Sequence, residues 1–85
     1  MPKSVFSDAH RHVVDVLVES RRRAGLTQAE LGRSVGKDQS FVSLIENAQR
    51  RVDVLEFFAL SRAMGFDPLL LLAQISQRLP SEFSI

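Results

Sequence analysis

The sequence predicts an all-α domain of five short helices. Three observations carry that expectation. Apolar residues recur at three and four positions rather than two, and no stretch alternates long enough to make a strand. Glycine and proline fall between the apolar stretches, at Gly25, Gly36, Gly65 and Pro68. Side chains suited to capping a helix, Thr27, Asp38 and Asp67, stand two residues after the three glycines.

The first helix is expected from Ser7 or Asp8 to Ala24. Val13, Leu17 and Ala24 lie along one stripe with Val14 beside it, and Gly25 is placed to end the helix in the left-handed conformation. Thr27 opens the second. It stands three residues before Glu30, the spacing of a capping box, with Leu26 and Leu31 as a hydrophobic staple. Gly36 stops this helix after Leu31 and Val35. Asp38 caps a third helix, Gln39 to about Asn47, with Val42 and Ile45 inward. Asp53 and Glu56 repeat the capping-box spacing and begin a fourth helix that ends near Met64, with Leu55, Phe58, Leu60 and Ala63 supplying apolar surface. Asp67 followed by Pro68 opens the fifth, because proline is favoured at the first helical position.

Eighty-five residues make one domain. The division expected is an N-terminal arm over 1–7, the helical domain over 8–79 and a tail over 80–85. An apolar fraction of 45% with 25% charged residues excludes a disordered chain. The absence of cysteine excludes a disulfide framework and a thiolate metal site. His10 and His12 are two apart on a helix, face different ways and read as solvent-facing, so no metal site and no cofactor are implied. The longest apolar run, Leu69 to Ala73, is far shorter than the roughly 18 residues of a membrane span. The opening MPKSVFSDAHRH has no apolar signal-peptide core, which points to a cytoplasmic protein. No Ser–His–Asp order, phosphate-cradling glycine loop or acid–base carboxylate pair stands out, and so short a chain leaves little room for a substrate pocket. An enzyme is not expected.

Charge is uneven. Between Arg21 and Arg51 seven basic residues face three acidic ones, whereas the remainder holds four basic and seven acidic. A central positive segment in a chain of net charge +1 suits nucleic acid, and equally a solvated helix face.

The informative stretch is TQAELGRSVGKDQSFVSLIEN, Thr27 to Asn47. Two short helices crossing at a tight turn restrict residue size at fixed offsets. With Gln28 as the first position, Gly32 is the fifth, where nothing larger than alanine fits between the helices. Gly36 is the ninth, where positive φ is needed, and Val42 is the fifteenth, where a branched side chain fills the space between the helices. Leu31 and Ile45 keep the apolar register at the fourth and eighteenth.

AGLTQAELG followed by VGKDQSFVSLIENAQRRVDVLEFFALSRAMGFDP resembles the helix-turn-helix family of the phage repressor and Cro type, also called the XRE family. The resemblance covers roughly Val13 to Ala73, and LTQAEL, QSFVS, IEN and RRVDVLEFF are its most specific parts. It implies a five-helix lambda-repressor-like domain that binds double-stranded DNA, usually as a homodimer at a palindromic operator, and acts as a transcriptional regulator, here expected to be a repressor. In that geometry the third helix enters the major groove and presents Gln39, Ser40, Ser43 and Leu44 to base edges. Phe41 is expected either at a thymine methyl or packed against the second helix or the first loop. Backbone anchoring is expected from Gln28 at the start of the second helix, from Lys37, and from Asn47, Arg50 and Arg51. The resemblance also implies a partly buried ion pair between Arg21 and Glu46. Ala48 stands where the family commonly has glycine, which would move the left-handed residue to Asn47.

The fifth helix is apolar around more of its circumference than one small core requires. Leu71, Leu72, Ile75 and Leu79, with Phe83, are therefore expected at a two-fold homodimer interface. Two other readings share the same residues: a helical protein-interaction module that has lost operator binding, and an antitoxin whose terminal helix meets a toxin.

Overall fold

Each of the four later helices begins at a side chain that takes up its first free amides. The structure, a computed structural model, describes residues 8–85. The arm expected over 1–7, and Ser7 as a helix start, lie outside the described residues. Among the described residues the chain forms α1 (Asp8–Arg23), α2 (Gln28–Ser34), α3 (Gln39–Glu46), α4 (Val54–Ala63) and α5 (Pro68–Arg78). Thr27 accepts from the Glu30 amide while the Glu30 carboxylate accepts from the Thr27 amide, and Asp53 and Glu56 repeat this reciprocal box at α4. Asp38 accepts from the Phe41 amide, and Asp67 from the Leu69 amide just ahead of a helix that starts on Pro68.

α2 packs on α3, α1 lies against α3 and α5, and α4 contacts both α2 and α5. The core is built from Val16, Leu17, Leu31, Val42, Ile45, Phe57, Leu60, Met64, Leu71 and Ile75. Arg78 pairs with Glu19 at 2.7 Å, so the end of α5 is tied to α1 on the outside as well.

Gly32 is more constrained than its place in the second helix suggested. A methyl group there would run into the Asp38 carbonyl, whose carbon would lie only 2.6 Å away. Even alanine is too large. The turn between α2 and α3 folds back onto the helix at this point, where the Lys37 amide donates to the Gly32 carbonyl at 2.8 Å.

Three expectations are corrected. Asn47 ends α3 with φ of −91°, and Ala48 itself is left-handed with φ of 57°. The Gln49 amide bonds the Leu44 carbonyl and the Ala48 amide the Ile45 carbonyl, a Schellman closure that demands positive φ at the residue between. His10 is buried rather than solvent-facing. It precedes Val14 by four and Leu17 by seven, which sets it on the inward stripe of α1. Burial pushes its imidazole below the usual histidine range, with the charges of Arg51 and Arg11 acting the same way.

The third correction concerns α5. Leu71 is 1% exposed and Ile75 is also buried, both inside the core of a single chain, and Leu79 packs partly against that core. Leu71 and Ile75 therefore cannot face a second copy. Of the five expected at an interface, Leu72 and Phe83 are exposed. On α4 and α5 the large apolar side chains that do face outward are Val54, Leu55, Leu69, Leu70 and Leu72, with Leu55 81% exposed.

Candidate nucleic-acid interface

α3 presents one side to solvent. Val42 and Ile45 point into the core, whereas Gln39 and Ser40 are exposed, Leu44 is 40% exposed and Ser43 is half-buried. The surface expected to meet base edges is therefore open along the first half of the helix.

Beneath it lies a chain of four side chains. Arg21 on α1 donates to Glu46 at the end of α3 through Nε at 2.7 Å and Nη2 at 3.0 Å, and its Nη1 donates to the Leu26 carbonyl at 2.9 Å. The two side chains are only 12% and 9% exposed. The Glu46 carboxylate is the main reason the Arg21 pKa is raised. Gln28 Nε2 donates to Glu46 Oε1 at 2.8 Å, and Gln39 Nε2 donates to Gln28 Oε1 at 3.4 Å.

A carboxylate only accepts, so Glu46 dictates which end of the Gln28 amide turns toward it. That choice leaves the Gln28 oxygen facing Gln39, which must answer with its nitrogen. One Gln39 N–H and its oxygen remain uncommitted. Those are the donor and acceptor that an amide needs to grip adenine at N7 and N6.

The neighbouring polar groups are more committed. The Ser40 hydroxyl donates to Asp38 Oδ1 at 2.7 Å, which leaves it acceptor lone pairs for any further partner. Together with the Phe41 amide this bond holds the Asp38 carboxyl below its ordinary range. Asn47 Nδ2 donates to Ser43 Oγ at 3.2 Å, so these two act as a pair one helical turn apart.

Of the cations, Lys37 is exposed in the turn before α3. Arg50 and Arg51, both expected at the DNA backbone, hold different partners. The Arg50 guanidinium forks onto Glu56, with Nη1 to Oε1 at 2.9 Å and Nη2 to Oε2 at 2.8 Å, and Nη1 also donates to the Arg51 carbonyl. Arg51 donates instead to the Ile85 carbonyl oxygen at 3.0 Å, and its charge is felt at His10. The Arg50 bond, with the Asp53 amide next and the charge of Lys37 adding to it, lowers the Glu56 pKa to about 2. Glu56 was legible as a cap; its grip on Arg50 was missed, although a carboxylate six residues from an arginine across a loop is the kind of pairing a sequence leaves open.

A model of the helix-turn-helix family matches residues 17–71. No curated protein matches the chain. Among solved structures, an XRE-family like protein from Pseudomonas syringae pv. tomato is 44% identical, with 85% of this chain and 88% of that one covered at a TM-score of 0.78. The restriction-modification controller protein C.AhdI from Aeromonas hydrophila is 31% identical, with 73% and 94% covered and a TM-score of 0.67. The controller protein C.Esp1396I, solved as a tetramer in complex with its natural 35 base-pair operator, is 18% identical, with 85% and 95% covered at 0.76. At that identity the likeness speaks to the fold alone.

Proposed function

The chain belongs to the XRE-type helix-turn-helix family, and from that premise we propose that it is a sequence-specific double-stranded DNA-binding transcriptional regulator, acting as a repressor, that reads the major groove with α3. The observation that carries this reading is the orientation of Gln39. Its amide is held by Gln28 so that one N–H and the oxygen, the pair that binds adenine, stay uncommitted. Ser40 offers lone pairs to an amino group, Ser43 a hydroxyl, and Leu44 an apolar surface for a thymine methyl. Lys37, Asn47, the second amide proton of Gln28 and the unused N–H groups of Arg50 are suited to phosphates, with Arg51 reaching the flank. The work is binding, and no catalytic step, metal or cofactor is assigned.

A second copy completes the site. One α3 spans less than a turn of the duplex, and two copies related by a two-fold axis would read a palindromic operator with half-sites about 34 Å apart. The outward apolar side chains Val54, Leu55, Leu69 and Leu72 support such an interface. Val54 and Leu72 also line a groove of about 210 Å³, together with Val13, Val52, Phe57 and Phe58. That same surface favours the second reading, a module or antitoxin that binds a different protein through α4 and α5. Operator binding would place the protein in the cytoplasm; no helix among the described residues is long and apolar enough to cross a membrane.

Selection of bound sequences from a random duplex pool tests the proposal. A symmetric motif with an adenine in each half-site is the expected result. Failure to retain any duplex at low salt would leave the protein-interaction reading in its place.

A further inference from the structure

α3 carries one aromatic residue, Phe41, and two cations lie against it. Lys37 Nζ is 5.5 Å from the ring centroid and Arg50 Cζ is 4.7 Å, both within the roughly 6 Å over which a ring face attracts a cation. Lys37 comes from the turn entering α3 and Arg50 from the segment leaving it, so one ring gathers charge from both ends of the helix. The ring itself is half-buried against the core, which fixes it. Arg50 is braced from another direction by Glu56, and Glu56 in turn by the Asp53 amide at 3.0 Å.

We infer that Phe41 is a positioning residue for DNA-backbone contact, holding Lys37 and Arg50 as a preset pair of phosphate-binding cations beside the base-reading side chains. The inference rests on the DNA-reading proposal above. A carboxylate would hold a cation and also cancel its charge. An aromatic face holds it and leaves the charge intact. Glu56 offsets one of the two cations, so the cluster of Lys37, Arg50 and Glu56 stays positive. A guanidinium has five N–H donors; Arg50 commits three, two to Glu56 and one to the Arg51 carbonyl, and keeps two for a phosphate. Both cations are laid on a fixed ring before DNA arrives and lose less rotamer freedom on binding than free side chains would.

The test compares Phe41→Leu, which keeps apolar bulk, with Phe41→Tyr, which keeps the ring face. Phe41→Leu should weaken operator and random duplex alike, by about five- to thirty-fold for two such contacts, without altering base preference. Phe41→Tyr should stay within about two-fold of wild type. Equal loss in both variants, no loss in Phe41→Leu, or a changed preference at one base pair would each overturn the inference. A readout independent of DNA guards against a folding defect. In the free wild-type protein the side-chain methylene protons of Lys37 and Arg50 should show upfield ring-current shifts by NMR, and their absence would also overturn it. A wild-type protein that shows those shifts but binds no duplex would refute the DNA-reading proposal itself, and this inference with it.

Discussion

Gln28 and Gln39, the first residues of α2 and α3, meet through their amides at 3.4 Å, and the contact is set by Glu46 behind them. The Gln39 side chain is thereby oriented through an ion pair that is almost entirely buried. Local helix geometry alone would leave the Gln39 amide free to turn either way.

Substitution at the two glutamines should separate reading from orienting. Gln39→Ala should lose about 1–3 kcal/mol of discrimination at one base pair per half-site, the usual worth of a paired amide contact. Gln28→Ala should relax preference at the same base pair by less, since Gln39 keeps its groups but loses its guide. Binding measured against single-base operator variants checks both. A Gln28→Ala effect spread evenly over all variants would assign Gln28 to phosphate contact alone.

Glu46→Ala should destabilise the fold before it alters preference. It strips Arg21 of its counter-ion and leaves only the Leu26 carbonyl as a partner for that guanidinium. Removing one member of a buried pair costs about 3–5 kcal/mol. With both side chains slightly exposed the lower end applies, about 3 kcal/mol, or a fall in Tm of about 12–24 °C for a domain this size. A thermal melt within a few degrees of wild type would show that the pair contributes little.

Ala48→Gly should stabilise. A left-handed alanine carries about 1–2 kcal/mol of steric cost, partly offset because glycine loses more freedom on folding. A net gain of about 0.5–1 kcal/mol is expected from urea unfolding. The Schellman bonds from Ala48 and Gln49 stay in place in either variant.

How much of this was legible from sequence depends on how local each feature is. The two capping boxes join residues three apart, and Pro68 acts on its own backbone, so Thr27, Glu30, Asp53 and Glu56 could be read directly. Ala48 could not, because the usual glycine cue is missing where the chain still needs positive φ. The consecutive leucines of α5 have no polar break to phase the helix, which is why Leu71 and Ile75 were expected on the outside although they meet the core. Arg50 and Glu56 pair across the loop before α4, and nothing in the intervening residues announces it.

That pair makes a pH prediction. Glu56 titrates at about 2 in the folded protein against an ordinary value of 4.5. A carboxylate depressed on folding lends stability that is fully present above its unfolded pKa and is lost as pH falls through the folded one. The loss should therefore develop between about pH 4.5 and 2. Glu19, Glu30 and Asp38 are lowered too, so the whole protein weakens in acid. The Glu56 share is isolated by Glu56→Gln, which should be less stable than wild type at pH 6 and converge toward it near pH 2.5. Parallel urea-stability curves across that range would rule out the contribution.

The outward apolar residues make the last prediction, on assembly. Leu55 and Leu72 are exposed, whereas Leu71 is sealed in the core. If two copies dock through α4 and α5, a charge at Leu55 or Leu72 is buried at the interface and leaves the isolated fold intact. Leu55→Lys and Leu72→Lys should then sediment near the 9.5 kDa of one chain and melt normally, while wild type sediments at about twice that mass. Leu71→Ala should instead cost about 2–5 kcal/mol of stability through the cavity it leaves. The monomeric variants should also bind a full palindrome far more weakly than a dimer, and a half-site about as well, because joining two reading helices raises affinity without new contacts. Wild type running as a single chain at high concentration would remove the interface, and with it the two-fold operator.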